Sequence, residues 1–496
     1  MKSAAVVLVH PSTQGGAALA NTLAGSEHLG IAYLAAALSE RLITHAVVDL
    51  EGNGSTPRAD AQNILARRPK IVGFSPTSKS APNAIELGRI LRAHAPDVLQ
   101  LWGGHLASGL GAGALTLVPE LDGVVIGQGE QLLPHIVKTW LSDRFVPVAA
   151  GVVWSDRRPA RAAITRRYPD WTQLLPERTR SPEWYAGNGA RIVTSLGCPY
   201  DCSFCTTPGF SQRRVTRRTP SSVVEEMHLL QLRFGVTRFW FNDDLFIDGS
   251  RVSKARAREI ASAIAQLDPR TRFRILSRSD TFVADPQLLD ELHAAGLDTL
   301  YVGLESGDDD ALREISKRTT AAVNYRLVEM LRDRGIFLQP GFIMFTPHST
   351  VEGLRRNVAF LRDTGLLYRA FPLTRTAVAF PGTDLWPALE GNVDDERSTP
   401  FVRYSTFDSP AIRSLSVAME VVEELFASSD RVMYRAAAEG LLTSDTYSVV
   451  SSLLTDMALR MIDASIDGES PRALVSIAEA AHRRVTDARN LAGSRR

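Results

Sequence analysis

Cysteine is scarce in this 496-residue chain, with three in all, so no disulfide framework can be built and a reducing, cytoplasmic setting is expected. Long apolar runs are missing too. The N-terminal stretch AAVVLV (4–9) is too short for a signal peptide or a membrane span and reads as a buried strand. Neither sign of charge dominates: 56 Lys and Arg face 55 Asp and Glu, for a formal net charge of +1. That balance argues against nucleic acid or an anionic membrane as the main partner. The arginines of QRRVTRR (212–218) read as a solvated face or as partners of an anionic ligand. No repeat of fixed period and no low-complexity segment is present.

What is present is alternation. Residues 1–150 carry short β-rich runs at 4–9, 45–50, 70–75, 98–104 and 122–127, with helical patterns at 29–42, 81–95 and 130–141. Strands of this kind between helices imply a parallel sheet covered on both faces, a doubly wound Rossmann-like α/β domain. Such sheets bind ligands at the carboxyl ends of their strands, which here hold Gly73–Ser78, Gly103-Gly104-His105 and Gly127-Gln128-Gly129-Glu130. Residues 151–190, rich in Pro, Arg and Trp, read as a linker that wraps between domains. A second alternating series has strands at 191–195, 236–244, 272–278, 298–307, 336–345 and 375–382. Six β/α units predict a partial (β/α)6 barrel over 191–405, with function at the carboxyl strand ends. From 406 to 496 the pattern is helical, ending in HRRVTDARNLAGSRR, which reads as a fraying helix.

All three cysteines fall within TSLGCPYDCSFCTTPG (194–209), as Cys198-x3-Cys202-x2-Cys205. Three buried thiols sharing a loop, a structural zinc site and an iron–sulfur cluster are the readings open to such a trio. Zinc usually closes its tetrahedron with a fourth Cys or His at short spacing, and the nearest downstream histidine is His228. Three thiolates without an evident fourth ligand suit a [4Fe–4S] cube with one iron left open.

This spacing, directly after the strand RIVTS, resembles the signature of the radical SAM superfamily. The resemblance implies that Cys198, Cys202 and Cys205 hold the cube and that S-adenosylmethionine (SAM) chelates the open iron through its amino and carboxylate groups. It places Phe204 near the adenine. Further patches follow in the family's order. FNDDLF (241–246) supplies Asn242, Asp243 and Asp244 for the SAM amino group, and SRSD (277–280) supplies Ser277 near the ribose and Arg278 for the carboxylate. GLESG (303–307) supplies Glu305 and Ser306, and PGFIMFTP (340–347) resembles the segment packed on adenine. Without the resemblance, the acids read as helix caps and Arg278 as a surface cation.

The first 150 residues resemble the cobalamin-binding domain joined to many radical SAM enzymes, through HLGIAYLAAAL (28–38), VGFSPTS (72–78), GGH (103–105) and VVIGQGE (124–130). The resemblance implies a corrinoid held over Ser75, Thr77, Gly103, Gly104, Gly127, Gly129 and Glu130. The chain contains no D-x-H-x-x-G, the motif whose histidine ligates cobalt in another cobalamin class. His10 and His105 read as satisfied loop histidines and Lys79 as solvated.

Together the resemblances imply a methyltransferase-like radical SAM enzyme in which one domain carries cobalamin, the barrel carries the cluster, and a small-molecule substrate of secondary metabolism or antibiotic biosynthesis sits between them. An external one-electron donor of the flavodoxin or ferredoxin type is expected, with no nucleic-acid or membrane partner; the oligomeric state stays open. No proton-transfer residue is assigned. The alternatives are a radical elimination such as dehydration of a sugar diol, with Asp243 or Asp244 assisting loss of water, and a non-catalytic cofactor-based sensor. Three thiols cannot build a second cysteine-ligated cluster.

Overall fold

The computed structural model describes residues 3–13, 27–158, 160–162 and 170–493. Strands β1 (Val6–His10), β2 (His45–Asp49), β3 (Ile71–Phe74), β4 (Leu99–Trp102) and β5 (Gly123–Val125) lie parallel in the order β2-β1-β3-β4-β5. Alternate residues of a strand point to opposite faces, and here both faces are apolar. Val7, Val9, Val72 and Phe74 enter one core; Val6, Leu8, Ile71 and Leu101 enter the other. The sheet is therefore covered on both sides, by helices such as Leu29–Ser39, Ala81–His94 and Leu132–Asp143. The strand order reverses between β1 and β3, which opens a crevice at their carboxyl ends.

The segment read as a linker contributes more than a connection. After β6 (Val146–Val148) the chain adds β7 (Val152–Trp154) antiparallel to β5 as an edge strand. β8 (Ala160–Ala162) then pairs with β6. Further on, Trp171 is buried with Leu29, Tyr33, Ala37, Leu174 and Val193, a small core between the first sheet's helix and the barrel.

The barrel strand expected at 191–195 divides in two. β9 (Ala190–Ile192) joins the barrel, whereas β10 (Ser195–Leu196) turns away to pair with β11 (Thr216–Arg217). The break falls at Thr194, whose N–H and hydroxyl both donate to Asp243. β12 (Arg238–Phe241), β13 (Arg272–Ser277), β14 (Leu297–Glu305) and β15 (Phe337–Phe342) complete a five-stranded parallel sheet, ordered β15-β14-β13-β12-β9. The sixth position, expected at 375–382, is a single parallel bridge between Phe345 and Thr376. It lies beyond the end of β15, and Pro381-Gly382 turns the chain soon afterwards. Phe239, Phe273, Ile275, Leu300 and Leu304 face outward into the largest core, shared with the helices.

Three helices follow, Pro410–Ala438, Ser444–Ile466 and Pro471–Gly493; Ser494–Arg496, the end of the expected fraying helix, lie outside the described residues. The first packs beside β15, where Tyr434 meets the Phe337 ring edge-on at 5.6 Å. No helix among the described residues is long and apolar enough to cross a membrane.

Candidate functional site

The β10–β11 ribbon closes a loop at its neck, with register Leu196↔Thr216, and all three cysteines lie on that loop. Gly197 leads into it at φ +94°, and a Cβ there would stand 1.9 Å from the carbonyl oxygen of Arg214. Only glycine allows the two limbs to approach so closely. Asp244 fixes both ends of the cysteine run: its carboxylate accepts from the Gly197 N–H at 2.7 Å and from the Thr207 hydroxyl at 3.2 Å. Between them Ser203 is pinned on both sides, its N–H donating to Ile315 O and its carbonyl accepting from Leu385 N–H.

The thiols are partly exposed. Burial pushes the Cys198 thiol up to about 11, with the neighbouring Cys205, Cys202 and Asp244 acting in the same direction. Burial raises Cys205 too, against donors from Thr207. Thiols of this kind are protonated until metal supplies compensating charge. Cys202 and Cys205 line a cavity of about 310 Å³ with Asp201, Gly209, Arg213 and Asp384. Among the described residues no three His, Cys, Asp or Glu side chains form a group able to hold a single metal ion. A cube makes a different demand, one thiolate on each of three irons, and three cysteines on one pinned loop bordering a cavity fit it.

The other expected SAM residues are placed unequally. Asn242 is exposed to a second cavity of about 300 Å³ inside the barrel. Asp243 is buried, and its carboxylate is taken up by Thr194 and by Ser195 Oγ at 2.9 Å; it ties β12 to the end of β9 rather than facing a ligand. Ser277 is buried with its Oγ unpartnered among the described residues. Arg278 is no surface cation. It is buried, donates to Asp280 and to the Lys317 and Arg318 carbonyls, and lies 4.0 Å from the ring centre of Tyr200 in the cysteine loop. Glu305, at φ +63°, is paired with buried Lys317 at 2.9 Å. Ser306 is sealed, donating to Asn357 Oδ1 at 2.7 Å. Phe204 packs beside Ile315, Ile343 and Leu385. Arg218, at the end of QRRVTRR, is not solvated either: it is buried on Glu226.

On the first domain the strand ends form the opposing wall. Ser75 follows β3, and a Cβ on Gly104 (φ +88°) would meet Ser75 Oγ at 3.0 Å, so the two adjoin. Gly103 is extended beside Val125, and the Gly127 N–H donates to Ser108 Oγ at 2.9 Å. Gly129 packs on Leu34. Thr77 is exposed and exchanges hydrogen bonds with Ser80. Burial raises the Glu130 carboxyl to about 7, and its Oε2 has no partner among the described residues. His28 caps the helix Leu29–Ser39 by accepting from the Ile31 N–H, and it lies against His10 and Ser75. Small residues and unpartnered polar atoms along this crevice fit a flat polar ligand.

The walls touch through the helix that ends the cysteine loop, Thr207–Ser211. The Phe210 ring lies 4.1 Å from that of His105, and its carbonyl borders Gly127. Beside it, Gly109, Gly209 and Gly382 meet backbone to backbone. A Cβ on Gly109 would fall 2.0 Å from the Pro381 oxygen, and one on Gly209 2.9 Å from that of Gly382.

Sequence reasoning named neither Lys317 nor the loop-fixing role of Asp244. The expected strand 236–244 stops at Phe241, and Asn242, Asp243 and Asp244 fall in the turn after β12, so strand alternation could not have revealed which acid meets the loop.

Comparison with known proteins agrees with this geometry. Residues 192–361 match the Radical SAM superfamily and residues 16–137 the B12 binding domain. The chain is 25% identical to an uncharacterized methyltransferase of Pyrococcus horikoshii over 86% of its length and 91% of that protein. It is 26% identical to the anaerobic magnesium-protoporphyrin IX monomethyl ester cyclase of Rubrivivax gelatinosus, over 72% of its length and 65% of the cyclase. In fold it resembles the cobalamin-dependent S-adenosylmethionine radical enzyme OxsB, with TM-score 0.68, 15% identity, and coverage of 98% of this chain and 80% of that one. It also resembles the radical S-adenosylmethionine methyltransferase TsrM of Kitasatospora setae, with TM-score 0.62, 18% identity, and coverage of 94% and 100%. The two domains imply a [4Fe–4S] cluster, SAM and cobalamin as cofactors. With a thiol-bearing loop on a parallel barrel set against a doubly wound domain, the chain carries a Radical SAM domain and a B12 binding domain and resembles the radical SAM enzymes that join the two.

Proposed function

We propose that the enzyme transfers a methyl group to an unactivated carbon of a small molecule. The observation that carries this reading is the contact between the cysteine-loop helix and the strand ends of the B12-binding domain, with Phe210 on His105 and against Gly127. When bound, the cluster with SAM supplies a carbon-centred radical and the corrinoid supplies a methyl group. The chain's own residues position and shield. Asp244 holds the loop, Arg278 stacks on Tyr200, and Glu305 with Lys317 sets a buried charge pair under the cysteines, where electrostatics from Cys202 reach Lys317. Phe204 offers SAM an apolar wall beside the cysteines. Ser75, Gly103, Gly104, Gly127 and Glu130 line the corrinoid side, and the methyltransferase names among the relatives support the outcome of the chemistry. With the three thiols confined to one loop, the electron comes from outside, from a flavodoxin- or ferredoxin-type donor. Asp243 accepts from Thr194 and Ser195 and Asp244 from Gly197 and Thr207, contacts that support a positioning role for both acids.

The test is anaerobic reconstitution with iron, sulfide and hydroxocobalamin, then desalting. Expected are about four irons per chain, retained corrinoid absorbance, and release of S-adenosylhomocysteine and 5′-deoxyadenosine with SAM and dithionite. Loss of corrinoid on desalting, or iron binding that survives replacement of Cys198, Cys202 and Cys205 by alanine, would overturn the proposal.

A further inference from the structure

Inside the barrel, Arg191 of β9 and Arg274 of β13 border the same cavity of about 300 Å³, with Asn242, Asp243, Leu276, Tyr301 and Gln339. Asp243 is the one acid in that lining, and its carboxylate accepts from Thr194 and Ser195 rather than from either arginine. Both guanidinium groups sit among neutral partners. Arg191 donates to Asn242 Oδ1 at 3.2 Å. Arg274 donates to Gln339 Oε1 at 2.7 Å and lies 4.4 Å from the ring centre of Trp240. Among the described residues neither forms an ion pair, although the chain spends carboxylates freely on arginines elsewhere, as at Asp122 and Glu226. Glu27, which acts on Arg191, is committed to Arg178, Thr179 and Tyr185, and Asp298 acts on Arg274 without forming an ion pair with it. The two arginines repel one another across the cavity, and burial disfavours the charge on each. Two forked cations held close with no carboxylate in ion-pair contact cost free energy that a bound anion offsets, and guanidinium matches carboxylate and phosphate in two-point geometry.

We propose that the barrel interior binds an anionic group, a carboxylate or a phosphate, on a molecule other than SAM; on the function proposed above, that molecule is the substrate. The strand rows separate this site from the cysteines. Arg191 and Arg274 lie in the row of Trp240, and their donors reach the row of Asn242 and Gln339. Asp244 and Arg278, which hold the cysteine loop, stand one row higher, about 7 Å further along the strands. SAM's own carboxylate belongs at the cluster, above that row. Polar Tyr301 and Gln339 offer further hydrogen-bonding groups, and Tyr434 of the helix Pro410–Ala438 acts on Arg274 electrostatically.

The test titrates the reconstituted full-length enzyme with sodium phosphate and, separately, sodium acetate, at constant ionic strength set by chloride. Fluorescence of Trp240, isolated by difference from Trp240→Phe, reports occupancy of the Arg274 side. Expected is saturable change with at least one anion, weakened roughly ten- to hundredfold by Arg191→Gln or Arg274→Gln. Circular dichroism confirms that each variant is folded, and Arg191→Gln carries the result if Arg274→Gln is not. Which anion saturates separates a carboxylate-bearing from a phosphate-bearing ligand. No saturation with either, equal affinity in the folded variants, or competitive displacement by SAM overturns the inference. A protein that binds the anion but transfers no methyl group would overturn only the proposed function.

Discussion

Asp244 and Asp243 are neighbours in sequence with opposite duties, in the turn that follows β12: one accepts from the cysteine loop, the other from Thr194 and Ser195. Removing Asp244 frees both ends of the cysteine run at once, while Asp243 lies in a buried seam away from it. Asp244→Ala is therefore expected to fold and to take up iron slowly and incompletely on reconstitution. Asp243→Ala is expected to lower the midpoint of thermal unfolding, since it strands the buried Thr194 N–H and hydroxyl at about 1–3 kcal/mol each, while Ser195 Oγ keeps the Leu245 carbonyl. Equal iron content in wild type and Asp244→Ala would refute the first expectation. His28 gives a pH dependence. Burial, then His10, hold its folded pKa at about 4 against an ordinary 6.5, so the unfolded chain binds a proton that the folded chain refuses. Stability from this group is complete above pH 6.5 and is lost as pH falls through 6.5 towards 4. His28→Asn keeps an acceptor for the Ile31 N–H without titrating. Denaturant midpoints at pH 7.5 and 4.5 should lie closer together in that variant than in the wild type.

Elements were legible in the sequence where pattern and burial agree. The apolar runs at 4–9 and 70–75 became β1 and β3, whose Val6–Val9 and Ile71–Phe74 are almost wholly buried, while the run at 45–50 became the half-buried edge strand β2, with His45 and Asp49 at its ends. RIVTS failed as one strand because its last residues answer to Asp243 and to β11, partners distant in the chain that periodicity cannot reveal. The trio of cysteines was legible as a loop from its spacing alone, whereas Arg191 and Arg274 were not, since inward-facing arginines in RIV and RFRIL look like surface positions. The linker shows the same limit. Its Trp171 is buried against Tyr33 and donates to Thr216 Oγ1 at 2.9 Å, on the strand that closes the cysteine loop. Trp171→Ala is expected to cost about 3–5 kcal/mol and to loosen the loop's neck, seen as faster hydrogen exchange at Leu196 and Thr216. Unchanged exchange there would show that the ribbon stands without the tryptophan.

At the scale of the molecule, two cofactor sites share one wall, the helix Thr207–Ser211. Whatever shifts that wall biases both sites, and the bias is reciprocal. Cluster reconstitution with hydroxocobalamin present should yield a different iron stoichiometry at limiting sulfide than without it. His105→Ala, which removes the ring against Phe210, should shrink the difference. Identical yields under all four conditions would mean that the sites load independently.

The glycines at 109, 209 and 382 come from three distant parts of the chain, yet none has room for a methyl group where they converge. A chimaera that borrows its amino-terminal module from a relative must therefore match a bare joint rather than a side-chain mosaic. A single alanine introduced at that seam would wedge the two halves apart, however well each half folds on its own.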